Sequence, residues 1–128
     1  MTDEMCGHKF NAFSFFIKSC EFFLDFLVHE YSFSKSEPEI VPPECWIEYR
    51  KGDVVLDVIY EYSDFPWIRV TVKGEGNSLD AIIKKSWHGQ PINRRKGPSE
   101  PDARVDFALE KYSDILKQHI AELNETWH

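Results

Sequence analysis

Residues Phe10 to Tyr31 read FNAFSFFIKSCEFFLDFLVHEY and carry seven of the ten phenylalanines. Apolar residues recur at Phe13, Phe16, Ile17, Cys20, Phe23, Leu24, Leu27 and Tyr31. Steps of three and four place side chains on one face of an α-helix. The spacing predicts an amphipathic helix that needs a partner surface. Phe15, Phe22 and Phe26 fall beside that stripe, and Asn11, Ser14, Lys18, Glu21, Asp25 and His29 fill the remaining polar arc. The apolar arc is wider than one packing seam. Either another element of the chain covers the second phenylalanine row, or Phe15, Phe22 and Phe26 form an exposed patch for a second copy.

Lys18, Glu21 and Asp25 interrupt the stretch, and a membrane span needs a run of about 18 uncharged apolar residues. The segment ahead of it carries Asp3 and Glu4 and lacks the basic start and cleavage site of a leader. Residues 1–9 are expected to be a flexible N-terminus. No membrane association is expected.

The whole chain of 128 residues fits one domain, residues 1–128, with enough length for a core that needs no staple. Hydrophobic residues at 42% and aromatics at 15% exclude a disordered chain. Cys6, Cys20 and Cys45 are odd in number and form no Cys-x-x-Cys pair, so they read as free thiols in a reducing compartment, the cytoplasm. The net charge of −7 is unevenly spread. Eight acids against Arg50 and Lys51 lie between Glu37 and Asp64, whereas Lys84, Lys85, Arg94, Arg95 and Lys96 lie between Ala81 and Ser99 with no acid among them. An acidic surface disfavours nucleic acid and steers a basic partner. The basic segment reads as a solvated loop leaning toward the acidic face, with phosphate binding as the alternative.

Ser32 to Pro43, rich in Ser and Pro, reads as a connector. Cys45 to Arg50 and Val54 to Tyr62 alternate and are rich in β-branched and aromatic residues, which predicts a hairpin. A loop of Lys51 and Gly52 would set Tyr49 opposite Val54 and Ile47 opposite Leu56. Trp67 to Lys73 extends this to a three-stranded antiparallel meander, with Ile68, Val70 and Val72 facing Tyr60, Val58 and Leu56. The other face then shows Trp46, Glu48, Val55, Asp57, Ile59, Glu61, Trp67, Arg69 and Thr71. Aromatic anchors ringed by charge suit an interaction surface. The alternative is that the segment 78–88 covers this face.

Gly74 to Asn77 is expected to end the meander, with a fourth strand left open, and Ser78 to cap a short helix from Leu79 to Trp87. His88 to Pro98 reads as a loop. Pro101 suits the first turn of a last helix, which puts Val105, Ala108, Leu109, Tyr112, Ile115, Leu116, His119, Ile120 and Leu123 on one face. The expected fold is α+β: an N-terminal helix, a meander, a short helix, and a long C-terminal helix packed on the sheet.

Motifs for chemistry are weak. Gly74-x-Gly76 lacks the third glycine of a dinucleotide loop and follows a hairpin strand. Cys6 and His8 offer two metal ligands with no second pair beside them. His119 on an apolar helical face reads as a buried histidine with a satisfied hydrogen bond, rather than as a ligand. Glu48, Asp57 and Glu61 could act as acid and base only if clustered, and carboxylates on an open sheet face usually stay solvated. Cys45 as a nucleophile is disfavoured because it points inward. No enzyme activity, cofactor or metal is expected.

The order of elements, together with Phe26-Leu-Val-His-Glu-Tyr-Ser-Phe33 and Val54-Val-Leu-Asp-Val-Ile-Tyr-Glu-Tyr62, resembles small uncharacterised bacterial proteins, several of them associated with polymorphic toxin systems as immunity proteins. The resemblance spans about Phe10 to Lys73 and carries no diagnostic motif, so it assigns no residue a role. It implies a non-enzymatic protein that binds and blocks a cognate toxin, often through an acidic surface, for which a basic toxin domain is the candidate partner. The candidate partner surface is Trp46, Glu48, Asp57, Glu61 and Trp67. A homodimer through Phe15, Phe22 and Phe26 is the alternative, and a small enzyme spanning the sheet and the His88 loop a third.

Overall fold

The computed structural model describes residues 2–126, with side chains described for residues 13–123. It is an α+β fold in which two long helices and a short one lie on one face of an antiparallel sheet. Helix α1 (Thr2–His29) begins ahead of Phe10, and the backbone of residues 2–9 belongs to it. Phe13, Phe16, Ile17, Cys20, Leu24 and Leu27 are buried, as the stripe requires. Phe16 stacks on Tyr60 with ring centroids 4.9 Å apart, which ties the helix to the sheet. Past the helix end, Ser32 at φ 63° turns the chain, and Phe33 drops into the core.

The connector is not structureless. Two short strands, β1 (Ser34–Lys35) and β2 (Glu39–Val41), pair with β3 (Glu44–Lys51). Its prolines and serines mask any alternation, so pairing with the strong neighbour β3 decides its conformation. Next, β3 pairs with β4 (Val54–Glu61), β4 with β5 (Trp67–Val72) and β5 with β6 (Glu75–Ser78), giving the order β1, β3, β4, β5, β6 with β2 beside β3.

The hairpin registers differ by two residues from the sequence expectation. Lys51 faces Val54 and Tyr49 faces Leu56, so the loop is Gly52-Asp53 with Gly52 at φ 57°. Glycine at the first of two loop positions is the arrangement of a type II′ turn, which matches the strand twist; the Lys51-Gly52 alternative would place glycine second. Likewise Ile68 faces Val58 and Val70 faces Leu56. A two-residue shift keeps every side chain on its expected face but changes which residues share a row. The fourth strand of the meander is present: Lys73 and Gly74, both at positive φ, form the turn that brings β6 beside β5.

Ser78 caps α2 (Leu79–Lys85), its Oγ accepting from the Ala81 N–H at 3.1 Å. Leu79, Ile82 and Ile83 join the same core as α1, so this segment does not cover the outer sheet face. After a 3₁₀ turn at Arg94–Lys96, helix α3 (Pro101–Thr126) starts with proline in its first position. Val105, Ala108, Leu109, Tyr112, Leu116, Ile120 and Leu123 are buried against α1 and the sheet, with Ile115 and His119 half-buried. Ser19 Oγ donates to Asp106 Oδ1 at 2.8 Å, joining the two long helices. Among the described residues no helix is long and apolar enough to cross a membrane.

Candidate functional site

The outer sheet face holds two rows of side chains that cross the strands. In the first, Trp46 faces Ile59 and Ile59 faces Trp67, with Glu39 on the far side of Trp46. Ile59, flanked by both indoles, is 1% exposed. In the second, Glu48 faces Asp57 and Asp57 faces Arg69. Rigid strands thus fix two aromatic anchors beside a row of charge.

Arg69 links the rows. Its guanidinium carbon lies 5.1 Å from the Trp46 ring centroid, and its Nη2 donates to Asp57 Oδ2 at 3.0 Å. The Asp57 residue is 8% exposed, so this is a carboxylate withdrawn from water and compensated by one cation. Glu48 Oε1 accepts from Arg50 Nη2 at 3.0 Å, and Trp46 Nε1 donates to Glu44 Oε1 at 3.1 Å. Ser36 exchanges two hydrogen bonds with Glu48, accepting from its N–H at 3.0 Å and donating to its carbonyl at 2.8 Å. That pairing holds Glu37 and Glu39 along the rim. The result is an open concavity of about 320 Å³ lined by Ser36, Glu37, Glu39, Trp46, Glu48, Asp57 and Arg69.

Charge around it is only partly compensated. Glu37, Glu39 and Glu61 have no ion-pair partner among the described residues. Such a surface can accept cations on its rim and a flat apolar or cationic group against its indoles.

Of the residues expected at a partner surface, Trp46, Glu48 and Asp57 line the concavity, Trp67 extends its aromatic row through Ile59, and exposed Glu61 sits opposite Glu44 at the end of the hairpin. Arg69 belongs to the same site and was not among those residues. In the expected register it would face Ile59; the two-residue shift moves it opposite Asp57. Opposite charge at Asp57 and Arg69 was the available signal.

The remaining candidates separate. Phe22 is 80% exposed, but Phe15 and Phe26 are half-buried against the core, and the Lys117 ammonium lies over the Phe26 ring, so the three form no continuous exposed row. The core therefore absorbs part of the second phenylalanine row. His119 is half-buried, with its ring stacked on Trp87 at 4.6 Å and its Nδ1 2.8 Å from Glu122 Oε2. Cys20 and Cys45 are buried free thiols, and burial pushes the Cys45 thiol up to about 11, the reverse of what a nucleophile needs. The Cys6 and His8 side chains lie outside the described residues. Gly74 sits in a hairpin turn and Gly76 in a strand, an arrangement with no phosphate cradle. Among the described residues no group of three or more His, Cys, Asp or Glu could hold a metal ion. The concavity with Glu48 and Asp57 is not lined by the His88 loop.

Comparison with models of known protein families, with curated proteins and with solved structures finds no match to this chain.

Proposed function

We propose that this chain is a non-enzymatic protein-binding module that captures a basic protein partner on its outer sheet face. One observation carries the reading: two indoles held by strand register beside carboxylates whose charge the chain itself only partly compensates. Protein interfaces concentrate binding energy in such aromatic anchors, and charge at the rim speeds and orients encounter. A cytoplasmic protein that neutralises a toxin by covering a basic surface is the specific form of this reading. Acids at Glu37, Glu39 and Glu61 suit that partner and disfavour nucleic acid.

The homodimer reading rests on Phe22 alone of its three residues, since Phe15 and Phe26 already pack against the core. A single exposed phenylalanine is a small anchor for a stable dimer.

The test is co-expression of the tagged chain with the product of the adjacent reading frame, followed by size exclusion and a growth count. Co-elution with restored growth supports toxin neutralisation. Separate elution with no growth effect overturns it.

A further inference from the structure

A second concavity lies between the 90–96 loop and helix α3, and it has the opposite character to the sheet face. Its volume is about 510 Å³, within the range of small-molecule sites. Pro91, Ile92, Phe107 and Ile115 supply apolar surface, and all but Pro91 also pack against the core. Three charges line it as well, Lys96, Lys111 and Asp114, none in an ion pair among the described residues. The Lys111 ammonium is held 5.1 Å over the Phe107 ring.

The groove is tied in place from several sides. Asp80 Oδ2 accepts from the buried Tyr112 hydroxyl at 2.9 Å, while its Oδ1 faces the Ile92 N–H at 3.5 Å, so one carboxylate spans α3 and the loop. Asn93 caps the 3₁₀ turn through the Arg95 N–H at 3.1 Å. At the loop's far end, Arg104 donates to the Pro98 carbonyl at 2.9 Å and to the Ser63 carbonyl at 2.7 Å. A loop held at both ends loses little freedom when a ligand arrives.

We propose that this groove binds a free α-amino acid with a bulky apolar side chain. The apolar body lies on Pro91, Ile92 and Ile115, the carboxylate meets Lys96 and the Lys111 ammonium held over Phe107, and the ammonium meets Asp114. Two cations with a single acid match a zwitterion better than a simple acid, which Asp114 would repel, or a simple amine, which both lysines would repel. The inference is independent of the sheet-face reading, because it uses none of those residues.

The test is an NMR titration of the full chain with L-phenylalanine, 3-phenylpropionate and 2-phenylethylamine, following the amides of Ile92, Asn93, Phe107, Lys111 and Ile115. A ligand of this size on an open groove is expected to bind with a Kd of about 1 mM. L-phenylalanine should give saturable shifts at these amides, and the two singly charged analogues should bind at least about tenfold more weakly. Lys111→Gln and Asp114→Asn, both at exposed positions, should each weaken binding while leaving the rest of the spectrum unchanged. Absence of saturable shifts at these residues, equal binding of the three compounds, or unchanged affinity in both variants would overturn the proposal.

Discussion

Arg69 lies over the indole of Trp46, its guanidinium carbon 5.1 Å from the ring centroid. The same guanidinium holds Asp57, so an aromatic anchor, a cation and a nearly buried carboxylate form one unit on strands β3, β4 and β5. Removing either charged member leaves the other uncompensated. The Arg69 side chain is 41% exposed, so water offsets part of the loss. Asp57→Ala is expected to cost about 1–2 kcal/mol, and the double variant with Arg69→Ala to cost less than the sum of the two single ones. Urea unfolding of the four proteins measures this, and strict additivity would show the pair to be energetically idle.

Gly97 marks how tightly the basic loop is pressed onto the domain. A Cβ there would sit 2.5 Å from Phe65 Cζ, and Phe65 meets Phe107 edge-on at 6.0 Å. The constraint is steric, since Gly97 has φ −77°. Gly97→Ala is expected to destabilise by about 1–3 kcal/mol through overpacking. A melting temperature equal to that of the unmodified chain would show that the loop moves aside freely.

The expected faces of the sheet were legible because alternation has a period of two, and the helical stripes because Phe13, Phe16, Cys20, Leu24 and Leu27 on one helix and Val105, Ala108, Tyr112 and Leu116 on the other recur at three and four. Rows across the sheet were not, because a slip of two residues leaves every face unchanged while moving Arg69 from Ile59 to Asp57. Only the turn could decide it, and both Lys51-Gly52 and Gly52-Asp53 are plausible two-residue loops by composition. Strand β6 reads Glu-Gly-Asn-Ser, with no apolar residue to mark it; the Lys73-Gly74 turn makes it a strand. Arg69 was legible on the outer face but not as the partner of Asp57, because the expected register set it opposite Ile59.

Alkaline pH should weaken the fold. Burial holds Cys45 protonated up to about 11, against 9.0 for a free thiol, and raises Cys20, Tyr49 and Tyr112 as well. The unfolded chain therefore releases protons that the native chain keeps. The contribution from Cys45 is fully present below about pH 9 and is lost as pH rises toward about 11. Melting temperature should fall across that window, and Cys45→Ala should fall less steeply than the unmodified chain. Identical slopes would show that Cys45 does not contribute.

Phe22 and Phe16 occupy the same helix with opposite surroundings, 80% and 1% exposed. Phe22→Asp is expected to change stability by no more than about 0.5 kcal/mol, whereas Phe16→Ala should cost about 3–5 kcal/mol. Denaturant midpoints compare the two. Size exclusion of Phe22→Asp adds a check on association: a change from dimer to monomer would favour the homodimer reading.

The central claim is that the outer sheet face captures a basic partner. The most direct measurement is calorimetric titration of the purified chain, and of a Glu39→Lys, Glu61→Lys variant at two exposed acids with no ion pair among the described residues, with the product of the adjacent reading frame. These two acids are preferred over Asp57, whose replacement would disturb the Arg69 pair. Tight binding by the unmodified chain, lost in the variant at unchanged melting temperature, is the expected result, with Trp46→Ala weakening the complex about thirtyfold or more. Undiminished binding by the charge-reversed variant, or no binding by the unmodified chain, would contradict the claim.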